Sequence, residues 1–249
     1  MSLRVTRENW DDLAELDLYW SILGYSDSPS GKWDQREFLR TGEREIDAVM
    51  TTAAALGYPH GRERALDFGC GVGRLTRALA RSFTQACGVD ISRAMLARAE
   101  ELNSDRANCR FVHNDRADLS IFPNDHFDLI YTVLVLQHLP SRRVAISLMR
   151  EFVRILKPGG LLMFHIPTYL PWRRRLQPRR RLYALLRSLG FDRKLLFERF
   201  GLAPVQLIAV PDTHIRNLLN SVHARILRLD QGQYYIADGA ETGNYWVTK

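Results

Sequence analysis

The hydrophobic pattern in the central part of the chain alternates between short apolar runs and segments with helical spacing. Five runs predict strands, at 64–69, 86–92, 109–115, 127–139 and 161–167. The unbroken apolar run at 127–139 is typical of a parallel strand buried on both faces. Three intervening segments predict helices, at 73–83, 92–102 and 141–156. Strands that alternate with helices predict βαβ units, and therefore a doubly wound, mostly parallel sheet of the α/β class.

Both ends of the chain depart from this alternation. Residues 8–23 and 43–56 predict two helices ahead of the first strand. Near the other end, residues 210–222 predict a helix, and 224–231 and 244–249 predict two more strands. We expect these strands to complete a seven-stranded sheet through an antiparallel pairing at the C-terminus.

The loop after the first strand carries the most informative motif, ALDFGCGVGRLTRALA at 65–80. Gly69, Gly71 and Gly73 let backbone and ligand approach closely, but Arg74 stands where a dinucleotide fingerprint has its third glycine. Asp67 would repel a phosphate in a sheltered cleft and attract an ammonium or sulfonium group. The alternative is a tight strand-to-helix turn that binds nothing.

This stretch resembles the first motif of the class I S-adenosylmethionine-dependent methyltransferases. Four later segments are similar to further motifs of that family in order and spacing: VDIS at 89–92, HNDRADL at 113–119, FDLIYTVLVLQHLP at 127–140 and RILKPGGLLMFHIP at 154–167. The resemblance covers about residues 62–167. It implies a Rossmann-like fold, methyl transfer as the reaction and S-adenosylmethionine as the cofactor.

Carboxylates at two strand ends suit such a cofactor. Asp67 can oppose its methionyl ammonium and Asp90 can accept both ribose hydroxyls, although Asp90 could instead form a turn or helix cap. The resemblance places Ile91 against the adenine and Asp115, with Arg116 beside it, at the adenine edge. The other expected cofactor contacts are Gly69, Cys70, Gly71, Gly73, Val133, Gln137, Trp33, Phe38 and Gly42.

Methyl transfer from a sulfonium needs alignment, and a general base only when the acceptor carries a proton of high pKa. His138, directly after the fourth strand, is the candidate base; it could instead serve the helix that starts at Ser141. His165 is the second candidate and a predicted substrate contact. The sequence offers no metal-ligand pattern after the fourth strand, so we expect no metal.

The N-terminal helices resemble the lid that covers cofactor and substrate in this family. We therefore predict a lid at 1–56 and a methyltransferase domain at 57–249 with a cap insertion at 168–210. Tyr19, Trp20 and Tyr25 are predicted to face the substrate. Their aromatic rings could equally be ordinary packing.

Residues 172–187 contain seven arginines and no acid, which equals the net charge of +7 of the whole chain. Leu182, Leu185, Leu186 and Leu189 recur there at helical spacing, so this basic helix is amphipathic. It could bind an anionic substrate, an acidic membrane surface or, as the weakest alternative, RNA phosphates. It could also be a solvated cap helix with its leucines on the core.

The composition of the chain indicates the compartment in which the protein works. The chain has 249 residues, 46% of them hydrophobic, and no apolar stretch typical of a secretory signal or a membrane span. Three cysteines without metal-ligand spacing argue against a disulfide framework. We expect a cytoplasmic protein.

These observations predict a small-molecule methyltransferase, acting on oxygen in a biosynthetic or tailoring pathway. The alternatives are methylation of a lipid- or glycan-linked substrate at a membrane surface, and a cofactor-binding scaffold without activity.

Overall fold

The structure is a computed structural model that describes residues 2–16, 18–23, 33–232 and 239–249. Its seven strands are β1 (Arg64–Phe68), β2 (Gln85–Asp90), β3 (Cys109–His113), β4 (Phe127–Thr132), β5 (Leu156–Tyr169), β6 (Arg225–Gln231) and β7 (Glu241–Thr248). They form one sheet in the order β3-β2-β1-β4-β5-β7-β6. The first five strands pair in parallel, and β7 runs antiparallel between β5 and β6, as the sequence predicts.

The helices are α1 (Leu3–Leu16), α2 (Leu18–Leu23), α3 (Gln35–Leu56), α4 (Arg74–Leu79), α5 (Arg93–Leu102), α6 (Arg142–Ile155), α7 (Trp172–Arg175), α8 (Pro178–Ser188), α9 (Arg193–Phe200) and α10 (Asp212–Ser221). A short 3₁₀ helix covers Leu136–His138. Ser92 caps α5 by accepting the Met95 amide. No described helix is long and apolar enough to cross a membrane.

Two hydrophobic clusters cover the two faces of the sheet. On one face, α6 and α10 bury residues such as Phe152 and Leu218 against β4 and β5. On the other face, Ile46 and Val49 of α3 pack with Leu79 of α4. The sheet is therefore a doubly wound layer between helices, which leaves the carboxyl ends of its strands free to form a site.

The three N-terminal helices lie at two different places on the sheet. Helix α3 is part of the layer that covers the sheet, whereas α1 and α2 lie over the carboxyl ends of the strands, where both line the main cavity. Asp34 caps α3 through the amides of Arg36 and Glu37, so this helix begins eight residues earlier than the apolar spacing indicates. The assignment of residues 1–56 to a separate lid stays a prediction.

The predicted strand at 127–139 is too long. Strand β4 ends at Thr132, and Leu134 has φ = 60°, which extended chain does not adopt. Leu136 and Leu139 are nevertheless buried in the same cluster as α6. The run stays apolar because the turn and the 3₁₀ helix pack into the core, and apolarity alone does not distinguish the two structures.

The predicted helix at 8–23 is two helices, α1 and α2, and α9 is missing from the sequence-based prediction. Helix α9 has a weak pattern because it buries only Leu196 and Phe197, although Asp192 caps its start and Gly201, in the left-handed region, ends it. These capping residues are the signal that could have identified it.

We use the name "cap" for residues 169–200, which include α7, α8 and α9. Tyr183, Leu186 and Leu196 of the cap form a small separate core with Leu202. Leu182, Leu185 and Leu189 are exposed. The alternative in which the leucines of α8 pack on the core is therefore wrong for three of the four.

Candidate functional site

The main cavity lies where the strand order reverses, between the carboxyl ends of β1 and β4. Including the open space at its mouth, it measures about 1200 Å³. Open α/β sheets bind their ligands at this position. The cavity is therefore the candidate binding site of the protein.

The glycine loop forms the floor of this cavity. Gly69 has φ = 77°, and a side chain there would collide with Val135 of the turn after β4, 2.3 Å from its Cγ2. Only glycine allows the loop and this turn to approach so closely. Gly71 has φ = 53° and donates its amide to Asp90 Oδ2 at 2.9 Å.

Asp90 ends β2 and lines the cavity. Its two carboxylate oxygens accept the amides of Gly71 at 2.9 Å and Ser92 at 2.8 Å. Burial raises the pKa of Asp90, and these hydrogen bonds oppose that rise. Each oxygen has a second lone pair, so the carboxylate can accept two vicinal hydroxyls without breaking its backbone contacts.

Asp67 lies beneath the loop and does not line the cavity. Its carboxyl accepts the Thr76 hydroxyl at 2.7 Å, and only 2% of the residue is exposed. Burial raises the pKa of Asp67 to about 7, although Thr76 and Arg74 act in the opposite direction. In this position Asp67 holds the loop to α4.

A charged pair stands in the cavity wall instead. The Arg74 guanidinium donates to Glu45 Oε2 at 2.8 Å and to the Thr41 hydroxyl at 3.1 Å, while the Tyr131 hydroxyl donates to Glu45 Oε1 at 2.8 Å. Arg74 and Glu45 both line the cavity. The pair offers one cationic and one anionic group to a zwitterionic ligand end.

His138 ends the 3₁₀ helix and lines the cavity. Its Nδ1 lies 2.8 Å from the carbonyl oxygen of Gln206, which can only accept a hydrogen bond, so Nδ1 carries the proton and Nε2 the lone pair. The Trp10 ring meets the imidazole edge-on, with centroids 5.5 Å apart. Burial lowers the pKa of His138 to about 4. The ring is therefore neutral at physiological pH.

Eight of the predicted site residues line the cavity: Gly69, Cys70, Gly71, Asp90, Ile91, Arg116, Val133 and His138. Tyr25 and the side chain of Trp20 lie outside the described residues.

Several other predicted contacts pack elsewhere. Phe38 is fully buried and meets the Tyr19 ring at 4.6 Å between centroids, with Trp33 in the same cluster. Gly42 fits closely against Arg74, where a Cβ atom would lie 2.7 Å from Cγ and from the carbonyl oxygen. Gly73 fits against the Phe111 ring.

The last three predicted residues are also outside the cavity wall. Gln137 is buried beneath the turn after β4, and His165 is buried within β5, opposite Asn244 of β7. Asp115 points outward and forms an ion pair with Arg7 at 3.2 Å. Successive side chains of a strand point to opposite faces of the sheet. A residue next to a motif can therefore lie at the same strand end and still face away from the cavity.

No sequence pattern indicated Leu3, Thr6, Trp10, Glu45 and Asn114, all of which line the cavity. Helix α1 reaches the site because the Ser92 hydroxyl donates to Asp11 at 2.6 Å, at the start of α5. No motif marks this contact, since it joins residues 81 positions apart.

The described residues contain no group of three His, Cys, Asp or Glu side chains placed to hold a metal ion. Metal-free chemistry stays a prediction.

Comparison with known proteins agrees with this geometry. Residues 66–164 match the family described as "Methyltransferase domain". The 2-methyl-6-phytyl-1,4-hydroquinone methyltransferase of Synechocystis sp. is 30% identical over 161 residues, which cover 63% of this chain and 48% of that protein. The trans-aconitate 2-methyltransferase of Deinococcus radiodurans is 38% identical over 107 residues, 42% of this chain and 38% of that protein.

The chain thus spans about half, or less, of the length of these curated relatives. Among solved structures, the magnesium protoporphyrin IX methyltransferase of Synechocystis, with bound S-adenosylhomocysteine, superposes with a TM-score of 0.63 at 20% identity and covers 99% of both chains. Residues 66–164 thus match the methyltransferase domain family, and the chain shares the fold of this solved methyltransferase. Both findings support S-adenosylmethionine as the cofactor.

Proposed function

We propose that this protein methylates an oxygen atom of an apolar small molecule. The relatives named above act on a hydroquinone and on aconitate, and the structural neighbour acts on a porphyrin. Their acceptors are small molecules of different kinds, so the acceptor proposed for this chain rests on its own cavity. The wall of this cavity includes the apolar residues Trp10, Leu139 and Leu148, and the Trp10 ring meets His138.

The residues of the cavity fit the cofactor as follows. The Asp90 carboxylate would accept the ribose hydroxyls, and Ile91 would lie against the adenine. Arg74 would bind the methionyl carboxylate and Glu45 the ammonium, a role for which the sequence suggested Asp67. Bound S-adenosylmethionine would supply a methyl group already activated by its sulfonium.

The protonation state of the His138 imidazole is the observation that favours oxygen as the methyl acceptor. Its Nδ1–H is committed to Gln206, and Nε2 has no hydrogen-bond partner among the described residues. A neutral imidazole in an apolar wall can accept the proton of an acceptor hydroxyl. This proton becomes far more acidic as the oxygen–methyl bond forms, so a base of low pKa is sufficient if the transfer is concerted. An amine or carbon acceptor would have less use for this arrangement.

A pair of variants tests the proposal. His138→Ala removes the base and the hydrogen bond to Gln206, whereas His138→Asn removes the base and keeps an N–H donor. Against a panel of phenols, hydroquinones and carboxylic acids, both variants should lower kcat about 10²- to 10⁴-fold. The affinity for S-adenosylhomocysteine should stay unchanged.

Two results would contradict this assignment. A methyl group found on nitrogen or carbon of the product would exclude oxygen as the acceptor. Full activity of His138→Asn would show that the ring only positions Gln206.

A second candidate is the same transfer to a lipid-linked acceptor at a membrane surface. The exposed apolar and basic side chains of the cap favour it. Comparison of a short-chain and a long-chain hydroquinone in the presence of vesicles would distinguish the two candidates.

A further inference from the structure

The outer surface of the cap combines exposed apolar side chains with an excess of positive charge. Residues 169–200 contain ten Lys or Arg and two Asp or Glu, a net charge of +8, whereas the whole chain carries +7. Trp172, Leu185 and Leu189 are 64%, 56% and 66% exposed. Surface leucines are ordinary when they are isolated, but a group of large apolar side chains on one segment marks an interaction surface.

Helix α8 presents these two properties on one face. Leu182, Leu185 and Leu189 follow one another at spacings of three and four residues, and Arg181 lies next to them. The inner side of the helix is already occupied by Tyr183 and Leu186 in the small core. The leucine stripe therefore has no partner within the described part of the chain.

Seven of the nine arginines of the cap are exposed. Arg175 and Arg179 donate to the backbone carbonyls of Leu170 and Gly201. No ion pair between described residues includes Arg173, Arg175, Arg179 or Arg181. The Arg173 guanidinium lies over the Trp172 ring at 5.4 Å, and that of Arg175 over the Tyr169 ring at 5.3 Å. Aromatic rings with a cation beside them are typical of the boundary between lipid and water.

We propose that the cap binds the surface of an anionic lipid bilayer. A bilayer accepts leucines into its acyl boundary and phosphate headgroups accept the arginines, so both parts of the surface gain a partner. RNA would leave the leucines in water. A small anionic substrate is disfavoured because none of the residues that line the main cavity belongs to the cap.

The cap is also connected to the wall of the main cavity. Arg193 of α9 is ion-paired with Asp12 and Glu15 of α1, and α1 lines the cavity through Thr6 and Trp10. A bilayer bound to the cap would thus hold a segment that contacts a helix of the cavity wall. The inference does not depend on which atom accepts the methyl group.

Vesicle co-sedimentation of the full chain tests the proposal. We expect binding to phosphatidylcholine vesicles that contain about 30% phosphatidylglycerol, at about 0.1 M salt, and little binding to phosphatidylcholine alone. Binding should fall steeply toward about 0.5 M salt, because the arginines then attract the surface less.

The charge variant Arg173→Gln, Arg175→Gln, Arg179→Gln and Arg181→Gln should bind these vesicles roughly 10²- to 10³-fold more weakly. Its melting temperature should match that of the wild type, because exposed charges contribute little to stability.

The matched control exchanges four other exposed arginines for glutamine: Arg110, Arg142, Arg143 and Arg150. It has the same net charge as the charge variant and should bind with near wild-type affinity.

The apolar variant Leu182→Gln, Leu185→Gln and Leu189→Gln keeps every charge and should still lose binding at least about 10-fold. Equal affinity for neutral and anionic vesicles, or equal loss in the matched control, would overturn the proposal. So would binding to a single-stranded RNA under conditions in which the vesicles do not sediment the protein.

Discussion

One titratable side chain in the cavity wall and one beneath it have pKa values that shift in opposite directions. Burial raises the pKa of Asp67 to about 7 and lowers that of His138 to about 4. Both shifts have the same cause, since a buried site disfavours the charged form of either group. The uncharged His138 is what a proton acceptor requires, whereas the shift at Asp67 is a consequence of its place beneath the loop.

Asp67 should leave a measurable trace in the pH dependence of stability. The folded protein keeps a proton on Asp67 that the unfolded chain releases above about pH 4. This stabilisation is complete below that pH and is lost as the pH rises toward 7, at about 1.4 kcal/mol per pH unit. Between about pH 5 and about pH 7, the free energy of unfolding of the wild type should therefore fall by roughly 2–3 kcal/mol more than that of Asp67→Asn.

Urea denaturation of the cofactor-free protein at the two pH values measures this difference. Asp105→Asn is the control, because Arg77 holds the pKa of Asp105 near 2, below the tested range. Identical pH slopes for wild type and Asp67→Asn would show that the Asp67 carboxyl is ionised in the folded state.

At the scale of elements, close packing of α3 against the loop positions the charged pair of the cavity wall. A Cβ atom at Gly42 would lie 2.7 Å from Arg74 Cγ and from the Arg74 carbonyl oxygen. Gly42→Ala should therefore destabilise the protein by roughly 1–3 kcal/mol, the usual cost of overpacking. It should also weaken binding of S-adenosylhomocysteine, because Arg74 must move.

Urea denaturation and calorimetry measure the two effects, with Glu43→Ala on the same helix as the control. Stability lost without any change in cofactor affinity would mean that Arg74 is not a cofactor contact.

Some residues of the site could be predicted from the sequence and others could not. Glycine spacing and the acid that ends β2 place Gly69, Gly71 and Asp90 in the cavity, since these residues act through backbone geometry close to them in sequence. Glu45 reaches Arg74 from 29 residues away, and this pairing depends on how α3 packs. Sequence patterns report local geometry and burial, so they could not have identified that pair.

The same limit applies to buried aromatic residues. Phe38 has the helical spacing and the aromatic character expected of a pocket residue, yet it lies behind the loop with Tyr19. Hydrophobicity indicates that a side chain is buried and not which cavity or core it faces.

At the scale of the whole molecule, the ion pairs of Arg193 with Asp12 and Glu15 connect the cap to α1. Arg193→Gln should lower the free energy that holds α1 against the cap by about 0.5–1 kcal/mol, the usual value of a partly exposed ion pair. Amide hydrogen exchange in α1 should become about 2- to 5-fold faster, while the melting temperature barely changes.

Arg199→Gln, an exposed arginine on the same helix, is the control for that experiment. Unchanged exchange in α1 would show that Ser92 and Asp11 alone hold this helix over the cavity.

Cofactor binding at Asp90 is the claim on which the account of the site depends. Titration calorimetry of the wild type with S-adenosylhomocysteine, with NAD as a competing candidate and Asp47→Ala as an exposed control, tests it directly. We expect one site of micromolar affinity, far weaker binding of NAD, and a loss of roughly 1.5–3 kcal/mol in Asp90→Ala, the value of hydrogen bonds to a charged group. Tighter binding of NAD, or an affinity for S-adenosylhomocysteine that Asp90→Ala leaves unchanged, would contradict it.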